Sequence, residues 1–197
     1  MLRLTRARGA SFDRLVAMAR DAPASSPALL ALRNGLIEPI PSGFAHDLSR
    51  TDLGQGESLF HAARAAFRRW EQFDLGWVQI ANACPAIVPW ELVAVEAHTG
   101  FLWSVNFSRI TEVVDTSARF GFLYTTTRFH VEEGQERFVL DYSADTGCVS
   151  YVIEAVSRPR HLLARIAYPF SRAMQHRFAR DSQGRIYRSV QSSAKRR

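Results

Sequence analysis

Between Gly76 and Val156 the chain carries six successive segments of two-residue hydrophobic period, joined by spacers too short for crossover helices. They are GWVQI, LVAVEAH, FLWSVNFSRITEVV, RFGFLYTTT, ERFVLDY and CVSYVIEAV. Parallel neighbours need connections of about a dozen residues or more, so these strands are expected to pair antiparallel. Such a sheet presents one apolar and one wetter face. Trp103, Val105 and Phe107 alternate with Ser104, Asn106 and Ser108, and Phe120, Phe122 and Tyr124 with Gly121, Leu123 and Thr125. The aromatic sets are expected to share the apolar face.

Helical periodicity brackets the strands. Leu59, Phe60, Ala63, Ala66, Phe67 and Trp70 recur at spacings of three and four, opposite Arg64, Arg68 and Arg69. Glu57 suits the first turn, where the helix dipole favours a carboxylate. After Ser157-Arg158-Pro159, the residues Leu162, Leu163, Ile166, Phe170, Met174 and Phe178 form a second stripe. Pro169 is expected to bend this helix and Gly184 to end it. The aromatic sheet face is the available partner for the stripe. Residues 44–50 read as a further strand. The first forty residues offer a short helix over Ser11–Arg20, then the breaker DAPASSP, and are expected to pack loosely. The chain therefore divides into a peripheral segment (1–42), a main domain (43–182) and a basic tail (183–197).

A chain of 197 residues buries a sufficient core without staples. Its only cysteines, Cys84 and Cys148, are expected to be free, buried thiols in a reducing compartment, which favours the cytoplasm. No apolar run approaches the roughly 18 residues of a membrane span. The opening MLRLTRARGASF lacks the apolar core of a secretory signal, and the arginine bias it shares with transit peptides pervades the chain. Residues 157–197 hold eleven basic side chains against one acid, Asp181.

Three blocks carry a resemblance. The first is Leu53-Gly54-Gln55-Gly56-Glu57 with Phe60, Ala63 and Trp70. The second runs from Phe120 to Thr126, then His130, Glu132, Gly134, Glu136, Arg137 and Phe138. The third is Ser157-Arg158-Pro159 with Ala164, Arg165, Pro169, Arg172, Gln175, Arg177 and Phe178. In order and spacing they resemble the UPF0548 (DUF1990) family, a family without a settled function. The resemblance implies an α+β helix-grip fold, related to START and Bet v 1-like (SRPBCC-type) proteins. There, a curved antiparallel sheet of about six to seven strands wraps a long C-terminal helix and often encloses an apolar cavity. Pro89-Trp90 departs from the family's Pro-Gly, and Tyr124-Thr125-Thr126 lacks its glycine.

Candidate chemistry is sparse. Glu136 shares a strand face with Phe138, Leu140 and Tyr142. In an apolar cavity its pKa would rise and it could anchor a ligand; alternatively it lies near solvent or pairs with Arg158. Trp103, Phe107, Phe122, Tyr124, Phe138 and Tyr151 could line a pocket or simply pack. His130, Glu132, Glu133 and Glu136 crowd together without a second histidine, so they read as a solvated turn rather than a metal site. No nucleophile motif or nucleotide loop is present. The expected function is a binding module for a small apolar or amphipathic ligand, without cofactor, lined by Trp103, Phe122, Tyr124, Glu136, Phe138, Tyr151 and Arg158. The alternatives are an adapter whose basic C-terminal region binds nucleic acid or an anionic surface, and an enzyme using the same cavity.

Overall fold

The computed structural model describes residues 1–37, 39–160 and 168–194. Its strands are β1 (Leu2–Arg3), β2 (Leu30–Ala31), β3 (Gly35–Leu36), β4 (Ala45–Gln55), β5 (Val78–Ile80), β6 (Leu92–Thr99), β7 (Leu102–Asp115), β8 (Arg119–Thr126), β9 (Glu132–Tyr142) and β10 (Cys148–Pro159). The helices are α1 (Ala10–Ala19), α2 (Glu57–Arg68) and α3 (Tyr168–Ala194). The six periodic segments form β5 to β10, and all their pairings are antiparallel. Strand β4 closes the other edge, giving the order β4-β10-β9-β8-β7-β6-β5, with β1 added beside β7. This is the helix-grip arrangement, a curved antiparallel sheet with α2 and α3 on its inner face.

The inner core joins Phe60, Ala63 and Phe67 of α2 to Phe120, Phe122, Phe138 and Tyr151 of the sheet, and to Ile186 and Val190 of α3. Burial of the α2 stripe is what makes the helix stable here, because a helix of this length is marginal in water by itself. Trp70 ends it in a left-handed conformation (φ 59°) and donates its indole N–H to the Pro85 carbonyl at 2.7 Å. Trp90 also has a positive φ, 69°. Glycine adopts that conformation without strain, so a glycine would suit this position better than Trp90 does.

The first forty residues do not pack loosely. Leu29, Leu30 and Leu32 bury against Leu123, Val139, Val152 and Val156, while Leu15 and Ala19 of α1 bury against Ala94, Val105 and Phe107. Both groups lie on the outer face, so the sheet is covered on two sides. Side chains of the sheet hold this segment through its backbone. Gln135 Oε1 accepts from the Leu29 and Leu30 N–H groups at 2.6 and 2.8 Å. Glu112 accepts from Leu32 N–H at 3.0 Å, and Arg137 donates to the Leu32 carbonyl at 3.0 Å. Arg137 also pairs with Glu154, and a Cβ at Gly35 (φ +82°) would lie 2.7 Å from both side chains, so glycine is required there. Gln135→Leu leaves two backbone donors without an acceptor. The expected loss is about 2 kcal/mol in urea unfolding, with faster hydrogen exchange at Leu29 and Leu30.

The outer layer corrects the assignment of Trp103, Val105 and Phe107. Ser104 and Asn106 face inward, and the three apolar residues face outward beneath the N-terminal segment. Ile110 keeps the inward parity of Ser104 and Asn106, and a register shift between Ile110 and Glu112 then turns Val113 to the inner core as well. Gly184 does not end the final helix, which runs on to Ala194. Glycine in a helix costs about 1 kcal/mol relative to alanine, and burial of Ile186 and Val190 beyond it outweighs that. The turn before Pro169, where the expected bend would show, lies outside the described residues. Leu162, Leu163 and Ile166 lie outside the described residues. The cysteines are free, but Cys84 is exposed and Cys148 only half-buried.

Candidate functional site

The inner face is filled unevenly. Beside α2 the rings of Trp70, Phe73, Phe122 and Phe138 pack in tilted and stacked pairs, with centroids 5.0 to 5.6 Å apart. Beyond them, under the N-terminal half of α3, the described residues leave a cavity of about 890 Å³. Its apolar wall includes Phe73, Trp77, Val78, Val95, Ala97, Ile153 and Ala155, with Met174, Phe178 and Ala179 from α3. The wall is apolar because every second residue of β5, β6 and β10 points inward and α3 lays its stripe over them. Pockets of this size and lining hold small molecules.

The polar end is built by β4, β8, β9, β10 and α3. Tyr124 donates its hydroxyl to Glu136 Oε2 at 2.5 Å. The register that sets Tyr124 opposite Glu136 across β8 and β9 produces this contact. Glu132 accepts from Gln175 Nε2 at 2.7 Å and from Ser157 Oγ at 3.1 Å. Asp47 takes both guanidinium nitrogens of Arg172 and lies 3.1 Å from His176 Nε2. Gln175, Arg172 and His176 thus fasten α3 to three strands around the cavity.

Burial raises the Glu136 carboxyl from 4.5 to about 7, against the Tyr124 hydrogen bond and with support from the negative charges of Glu132 and Asp47. Desolvation also raises the Tyr124 phenol, and the adjacent Glu136 adds to it. His130 lines the same cavity and is lowered to about 3, first by burial and then by the positive chain terminus, partly offset by its hydrogen bond to the Glu132 backbone. Its Nδ1 lies 3.0 Å from the Glu132 N–H and 3.1 Å from the Glu132 carbonyl, so the ring is tied to that backbone in either tautomer. His130 therefore belongs to the cavity wall and is not a solvated turn residue.

The expected site residues separate into two sets. Tyr124 and Glu136 reach the cavity. Phe122 and Phe138 lie in the packed core behind it, as does Tyr151, whose hydroxyl hydrogen-bonds Ser182 Oγ of α3 at 2.8 Å. Trp103 is on the outer face, stacked on His98 with centroids 4.2 Å apart, beneath Arg6. Arg158 is exposed on that same face, paired with Glu133 and over the Phe44 ring. Sequence reasoning missed Asp47, Ser157, Gln175 and Trp77 as cavity residues. The inward parity of β10 offered a signal for Ser157; the others depend on tertiary placement. No group of three or more metal-competent side chains occurs among the described residues.

Much of the C-terminal positive charge is engaged. Arg172 pairs with Asp47, Arg177 and Arg180 with Asp181, and Arg185 with Glu71 and Asp74. Among the described residues no helix is long and apolar enough to cross a membrane.

Comparison with known proteins agrees with this architecture. A UPF0548 protein of Dictyostelium discoideum is 32% identical over 168 residues, spanning 80% of this chain and 78% of that one. Another UPF0548 protein, from Deinococcus radiodurans, is 32% identical over 143 residues, spanning 66% and 71%. Among solved structures, the Zhui aromatase/cyclase from Streptomyces sp. R1128 superposes with a TM-score of 0.52 at 10% identity. The match covers 75% of this chain and 94% of that one, a likeness of fold alone. The model of the domain of unknown function DUF1990 matches residues 31–185, and the chain belongs to that family.

Proposed function

We propose that the protein binds a small apolar or amphipathic molecule between the sheet and α3, with Glu136 as its polar anchor. The observation that carries this reading is the cavity of about 890 Å³, walled by apolar side chains and carrying the Tyr124–Glu136 pair at one end. Burying an apolar ligand there contributes roughly 25 cal/mol per Å² of apolar surface removed from water. Native mass spectrometry of protein purified from its source host tests the proposal, since a co-purifying small molecule is expected. Ala155 points into the cavity from β10, so Ala155→Phe places a ring in the ligand's space. The expected result is at least about a tenfold loss in affinity for an apolar fluorescent probe, with folding retained. Unchanged probe binding by that variant would remove the reading.

A second reading is a reaction in the same cavity. The observation favouring it is a buried carboxyl raised to about 7 in hydrogen-bond contact with a phenol. Groups poised near neutrality suit proton transfer to or from a bound molecule. Recovering a chemically altered ligand from wild-type protein, and an unaltered one from Glu136→Gln, is the expected outcome.

A further inference from the structure

Among the described residues, the polar end of the cavity presents the carboxylates of Asp47, Glu132 and Glu136, and Arg180 of the lining pairs with Asp181. Glu136 receives one hydrogen bond, from Tyr124 to its Oε2, and among the described residues it takes part in no ion pair. At the rim, Arg172 and His176 are directed at Asp47. Glu132 accepts from Gln175 and Ser157 among its partners. His130 is tied to the Glu132 backbone through Nδ1, and its pKa is lowered to about 3 by burial.

A ligand's polar group placed at this end meets carboxylate oxygens. A carboxylate or phosphate there would face the like charge of Glu136, with which no cation among the described residues pairs. A hydroxyl would form an ordinary hydrogen bond. An ammonium would form charge-assisted hydrogen bonds, which are about twice as strong as neutral ones, and would give the buried carboxylate the partner that a desolvated charge needs. The raised pKa of Glu136 agrees with this, because its neighbours disfavour the ionised form until a cation arrives.

Resting on the reading of this cavity as a ligand site, we infer that it selects an amphipathic molecule whose polar end is a protonated amine. The ammonium sits on Glu136, and the apolar part lies against Val95, Phe73 and Phe178. Tyr124 orients the carboxylate by holding Oε2, which leaves Oε1 to the ligand.

The test is isothermal titration of the full chain at pH 8 with decylamine, decanol and decanoate, below their aggregation concentrations. Decylamine is expected to bind roughly tenfold more tightly than decanol, with decanoate the weakest. Glu136→Gln should lower the amine to the level of the alcohol and leave the alcohol within about twofold of wild type, since a neutral amide keeps the shape of the site without its charge. Tyr124→Phe keeps the carboxylate and should keep the preference for the amine. Decanol or decanoate binding as tightly as decylamine in the wild type overturns the inference, whatever the variants do, and leaves the cavity reading standing. Retention of the amine preference by folded Glu136→Gln also overturns it. Failure of all three probes to bind overturns the cavity reading, and this inference with it.

Discussion

Replacing Phe138 by alanine is expected to lower the free energy of unfolding by about 3–5 kcal/mol, the range for deleting a large buried aromatic side chain. Phe138 is fully buried and stands between the rings of Phe73, Phe122, Tyr124 and Phe178, with centroids 5.0 to 6.1 Å away. It separates the packed half of the core from the cavity, so its loss joins new space to an existing void. The neighbouring rings are held by α2 and by the strands, which limits how far the site can collapse. Denaturant unfolding measures the effect. A loss below about 1 kcal/mol would mean that the rings repack and that the two halves of the core are not rigidly divided.

The second large effect is on the pH dependence of stability. The folded chain holds the Glu136 carboxyl at about 7, above its ordinary value of 4.5. Below pH 4.5 the group is protonated in both folded and unfolded states, and the folded state bears no penalty. As the pH rises from 4.5 through 7, the unfolded chain releases its proton freely while the folded chain must hold the proton or bury a charge. Stability is therefore lost across that window, by roughly 2–3 kcal/mol. Glu136→Gln removes the titration, so the variant should gain on the wild type by this amount between pH 4 and pH 8. His130 acts in the opposite direction. Its folded value of about 3 lies below the ordinary 6.5, so its contribution is present above 6.5 and lost as the pH falls towards 3. Because His130 is present in both proteins, subtracting the two profiles isolates Glu136. Parallel profiles would show that the carboxyl is hydrated in the folded state and its pKa ordinary.

The strand alternation and the α2 stripe were readable because each has a period that only one local structure satisfies. Glu136 was also visible, as an acid on an otherwise apolar strand face. Its partner Tyr124 is on the adjacent strand, and only the register of β8 against β9 shows that the two side chains touch. The error at Trp103 has a definite cause. Alternation separates two faces without saying which is inside, and here both are covered, so the more apolar set on β7 lies under the N-terminal segment. Gly184 misled for a related reason. Its intrinsic preference is weak beside the burial of Ile186 and Val190, which follow it within the same helix.

Read alone, the order of residues was enough to establish antiparallel strands, two amphipathic helices and the family, because periodicity and motif spacing are local properties of the chain. It did not establish that one half of the inner face is packed and the other hollow. That depends on where the rings of α2 stop and where the stripe of α3 passes over β5, β6 and β10. A cavity is a difference between surfaces brought together from distant segments, and no single stretch of sequence contains that difference.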